Sequence, residues 1–80
     1  MITQAEAEKL ANKAVTDYVN SCHCDTMEDA ANALMKLASM CGMAMCAVVG
    51  QVEAVARMEG TAAYIARPEH SGPWKTERAN

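Results

Sequence analysis

Lys36 to Ala54 reads KLASMCGMAMCAVVGQVEA. The fold depends on whether the chain reverses at Gly42 or continues through it as one helix. With Leu34 at heptad position a, Cys41, Val48, Val55 and Ala62 follow at intervals of seven. Position d takes Leu37, Ala44, Gln51, Met58 and Ile65, and position e takes Ala38, Met45, Val52, Glu59 and Ala66. The apolar stripe keeps its phase across Gly42, and the flanks Ser39-Met40-Cys41 and Met43-Ala44-Met45 hold no Asn, Asp or Pro. A helical glycine costs only about 1 kcal/mol relative to alanine. The pattern predicts an all-α hairpin with a long second helix, bent at most at Gly42. The alternative is a compact three-helix bundle broken at Gly42, since glycine is a common helix stop.

The two readings differ in what they leave uncovered. Met27 to Ala66 is helix-compatible throughout and would span about 60 Å at 1.5 Å per residue. A compact chain of this length is only about 30 Å across. A first helix folded back from the Cys24 hinge would leave Met45, Val48, Val52, Val55, Glu59 and Ala62 in water. A through-helix therefore predicts an oligomeric helical bundle, a homodimer or higher, with those residues at the interface. Glu59 would then meet a cation such as Lys9, Lys13 or Arg67 of another copy, or lie near the stripe's end and reach water.

Upstream, Thr3-Gln4-Ala5-Glu6 has the capping-box pattern, and Ala7, Leu10, Ala11, Ala14 and Tyr18 follow at helical spacing. A first helix is expected over about residues 3–21. CHCDT (residues 22–26) interrupts it, and Asp25 with Glu28 or Thr26 with Asp29 offers a second cap. Pro68 ends the helical domain, residues 1–67. The tail, 68–80, is polar apart from Trp74.

Composition excludes several function classes. The chain has 80 residues, a net charge of −3 and scattered basic residues, which argues against direct nucleic-acid binding. The first ten residues show neither a basic stretch nor an apolar one, so a cytoplasmic location with reduced cysteines is expected. Leu37–Val52 is free of charge, but a membrane span needs about 20 apolar residues, so no membrane role is expected. Cys22-His23-Cys24 is the most metal-like spot. Cys41 and Cys46 lie too far along the second helix to complete four ligands with it in one chain. No carboxylate pair, Ser-His-Asp set or phosphate-binding loop is present, so neither catalysis nor a cofactor is expected.

The remaining candidates are binding residues. Gly50, Ala54, Arg57, Thr61 and Tyr64 align on the polar face of the last helix, and Arg67 and Trp74 follow. Tyr, Trp and Arg are enriched at binding hot spots. In its size, acidity, helicity and lack of a catalytic constellation, the whole chain resembles the small proteins carried by bacteriophages and mobile elements, anti-CRISPR proteins among them. That resemblance implies a non-enzymatic inhibitor occupying a surface of a host macromolecular partner. In scale the chain is also similar to helical phage proteins that sequester cyclic oligonucleotide signals, which would use Arg57, Tyr64, Arg67 and Tyr18. A metal- or redox-responsive regulator acting through Cys22 and Cys24 is the third reading.

Overall fold

The computed structural model of the protein describes residues 1–72. These form three α-helices, α1 (Gln4–Cys22), α2 (Met27–Val49) and α3 (Gln51–Ile65), followed by a short 3-10 turn at Pro68–His70; no strand occurs among the described residues. The all-α expectation holds. Of the described residues, those up to Met35 group into one compact unit, and residues 36–72 into a second. The helix α2 contributes to both.

In the first unit, local polar chemistry sets the helix ends. The Glu6 amide donates to Thr3 Oγ1 at 3.2 Å, and the Thr3 amide donates back to Glu6 Oε1 at 3.0 Å, the capping box read from the sequence. The Thr3 amide first, and then the Thr3 hydroxyl, which donates to the same oxygen at 3.1 Å, hold the Glu6 carboxyl below its usual pKa. The helix α1 ends at His23, which takes the left-handed conformation at φ 52°. At the start of α2 the Asp29 amide donates to Thr26 Oγ1 at 3.0 Å, while Asp29 Oδ2 accepts from the Asp25 amide at 3.3 Å. Glu28 and Asp29 also place negative charge against the positive end of the helix dipole. The Tyr18 hydroxyl donates to the Ala33 carbonyl at 2.8 Å and ties α1 to α2 within this unit.

The second unit answers the Gly42 question. The helix α2 passes through Gly42, so no break occurs there, and it ends at Val49. Gly50 alone connects α2 to α3, at φ 91° and ψ 159°. That region is essentially restricted to glycine, because a Cβ would clash with the backbone. Gly50 wastes no backbone group. Its amide donates to the Cys46 carbonyl, and its carbonyl accepts from the Ala54 amide, both at 2.9 Å. A methyl added at Gly42 would lie 3.6 Å from Met58 Cε, ordinary van der Waals contact. Residues eight before and eight after Gly50 therefore face each other, and the long second helix is corrected to an antiparallel hairpin.

Small residues form the seam of this hairpin. Ala54 is 1% exposed and is the sole buried residue among those described. Met45, Cys46 and Met58 are half-buried. Beyond the seam, α3 ends at Ile65 with Ala66 as its cap. Arg67 is extended at φ −66° and ψ 145°, as the residue before a proline should be.

Candidate functional site

The helix α3 and the turn after it carry most of the binding residues singled out from sequence. Arg57 Nε donates to Glu53 Oε2 at 2.9 Å, one turn away, and both side chains are more than half exposed. Such a pair contributes only a few tenths of a kcal/mol. Thr61 is exposed on the same helix. Tyr64 and Arg67 do come together, with the guanidinium carbon 5.2 Å from the ring centroid. Arg67 also lies 3.7 Å from Glu69 Oε2. Trp74 lies outside the described residues.

One member of this cluster was not foreseen. The His70 ring packs against Tyr64 at 4.5 Å between centroids, and His70 Nδ1 lies 3.0 Å from the Tyr64 carbonyl oxygen. A carbonyl only accepts, so that nitrogen carries the proton. His70 thereby gives a second donor to the Tyr64 carbonyl, which also accepts from the Arg67 amide at 3.2 Å. The signal in the sequence was a histidine just past the helix end, beyond a proline that turns the chain back. Chemically, the cluster is a helix cap built from Tyr64, Arg67 and His70. Arg67 lies over the ring and His70 packs against it, and Tyr64 remains 54% exposed.

The hinge of the first unit holds the thiol candidates. Cys22 is exposed and Cys24 half-buried. Partial burial, followed by the nearby Cys22, Asp29 and Asp25, pushes the Cys24 thiol above its usual pKa. A raised pKa keeps the thiol protonated at neutral pH, and the thiolate is the form that binds metal or reacts. Among the described residues no three His, Cys, Asp or Glu side chains are grouped to hold a metal ion. Tyr18 is pushed up too, first by burial and then by Cys22. Its hydroxyl is engaged by the Ala33 carbonyl rather than held out for a ligand.

The expected interface residues are placed differently by the turn. Met45 and Val48 lie on α2, whereas Val52, Val55, Glu59 and Ala62 lie on α3, which runs back. Met45 is half-buried and the other five are exposed, Val48 at 81% and Val52 at 86%. On α2, Met40 and Met43 are exposed at 55% and 66%. By length and composition alone, α2 is also long and apolar enough to cross a membrane. Its 23 residues span about 34 Å against a hydrocarbon core of about 30 Å. The charge-free run used in the sequence argument is shorter because it stops at Lys36. No protein-family model, curated protein or solved structure matches the chain.

Proposed function

We propose that the chain is a small non-enzymatic binding protein that acts in the cytoplasm by occupying a surface of a host macromolecule, in the manner of phage-encoded inhibitors such as anti-CRISPR proteins. One observation carries this reading: α3 presents Val52, Val55 and Ala62 to water at helical spacing. Exposed apolar rows of this kind are what amphipathic recognition surfaces offer to a partner. Three of the polar residues of α3, Glu53, Arg57 and Tyr64, are by contrast engaged within the chain. Arg57 pairs with Glu53, and Tyr64 packs with Arg67 and His70.

The test is affinity capture of the tagged protein from a bacterial lysate, followed by native mass spectrometry, alongside the Val55→Glu variant. The expected result is a host protein retained by the wild type and lost with Val55→Glu at unchanged helix content. A bound cyclic oligonucleotide instead would replace this reading with signal sequestration. Stoichiometric zinc lost with Cys22→Ser would replace it with metal-dependent regulation.

A further inference from the structure

The side of α2 turned away from α3 has no role in the function proposed above. Gly42 marks the side that faces α3, against Met58. At 3.6 residues per turn, Met40, Met43, Ala44 and Ala47 lie about 100–160° round the helix from it. All four are exposed. Their spacing of three, four and seven makes a continuous apolar row, and the nearest charge along it is Lys36. Met40 and Met43, the two large side chains of the row, are 55% and 66% exposed, so most of the apolar surface that a second copy could cover lies on them.

We propose that this row pairs α2 antiparallel with α2 of a second copy about a two-fold axis between residues 43 and 44. Two features favour a second copy as the occupant, and antiparallel as its direction. The row is complementary to itself when reversed: Met40 meets Ala47 of the other copy and Met43 meets its Ala44, large against small on both sides. In a parallel pair, Met would meet Met and Ala would meet Ala, and the two Lys36 ammonium groups would face each other. The second feature is charge. The last turn of α2 has no basic residue, although the negative end of its dipole favours one. Reversal brings Lys36 of the second copy beside that end, and Lys36 of the first copy beside the other. The interface is isologous, so each copy contributes the same residues.

The experiment combines solution mass with cysteine cross-linking. Native mass spectrometry and light scattering at tens of micromolar should give twice the 8.6 kDa chain mass, and Ala44→Glu should return it to 8.6 kDa. Ala63→Glu, at another exposed alanine, on α3, should leave the doubled mass unchanged. With Cys22, Cys24, Cys41 and Cys46 replaced by Ser, Met43→Cys should oxidise to a covalent dimer. Met40→Cys should not, because reversal sets the two copies of residue 40 about 10 Å apart along the axis. A monomeric wild type, or a doubled mass that survives Ala44→Glu, overturns the proposal. Equal cross-linking at 40 and 43 overturns the antiparallel register. Flotation of an otherwise monomeric protein with phosphatidylcholine–phosphatidylglycerol vesicles would assign the row to a bilayer and overturn it as well. A monomer that still retains its host partner would end this proposal while leaving the proposed function standing.

Discussion

The chain contains two helical hairpins built by opposite means. In the first, α1 and α2 are joined by residues 23–26: His23 takes a left-handed turn, and Thr26 together with Asp29 of α2 caps the second helix. A phenol then ties the two helices, from Tyr18 to the Ala33 carbonyl. In the second, α2 and α3 are joined by a single glycine with no side-chain bond, and the seam rests on small residues at Gly42 and Ala54. The first hairpin spends polar side chains to fix a turn. The second depends on one backbone conformation that a substitution can remove. The two regions should therefore fail in different ways.

The largest effect is expected at Gly50. Gly50→Ala forces a side chain into the positive-φ connection and should cost about 1–3 kcal/mol in chemical denaturation, if it does not open the hairpin into a longer helix. No change in stability would show that the connection is not held at positive φ. Next comes the tie in the first hairpin. Tyr18→Phe keeps the ring and removes the hydroxyl, and should cost about 0.5–1.5 kcal/mol. A loss at Gly50 much larger than at Tyr18 sharpens the contrast, and equal losses blur it.

Gly42 should respond in the opposite direction. It lies inside α2, and an added methyl meets only ordinary contact with Met58. Gly42→Ala is expected to stabilise by about 0.5–1 kcal/mol, measured by thermal or urea unfolding. A loss would mean that the seam does not accept the methyl group.

The smallest effect is the pH response of the first cap. The Glu6 carboxyl is held below its ordinary value of 4.5 by the Thr3 amide and hydroxyl. A lowered folded pKa means that the cap contributes fully above the ordinary value. Its contribution is lost as the pH falls through the lowered one. Helix content at the start of α1, followed by NMR, should drop in that acid window, and Glu6→Gln should remove the pH dependence. A Glu6 titration at or above the ordinary value would contradict the capping box.

What was legible in the sequence follows the same division. Polar caps have fixed spacings, so Thr3 with Glu6 could be read directly, Thr26 with Asp29 was one of the two second caps expected, and α1 came within one residue at each end. Continuity through Gly42 was legible because its flanks lack turn residues. The break at Gly50 was hidden for that very reason. Its flanks, Val48-Val49 and Gln51-Val52, also lack them, and a one-residue connection needs only the glycine itself. Apolar spacing continues across Gly50 because both arms of the hairpin are amphipathic, so the heptad count could not register a reversal. The same blindness misplaced Ala54, which falls among polar residues in a straight helix and becomes the buried point of the seam once α3 turns back. At the α3 end, the nearness of Tyr64 and Arg67 followed from their spacing of three, whereas His70 depends on how the chain bends after Pro68.

The reversal at Gly50 is the central claim, and a distance measurement tests it most directly. Spin labels at Ser39 and Thr61, both exposed, sit at matching distances from Gly50, with the native cysteines replaced by Ser. The labelled chain is diluted into unlabelled protein so that pulsed electron resonance reads only distances within one chain. A hairpin places the two backbones at the spacing of packed helices, about 8–10 Å. A helix continuing through Gly50 places them about 33 Å apart. A short distance is the expected result. A single population near the longer value would contradict the hairpin and restore the unbroken second helix.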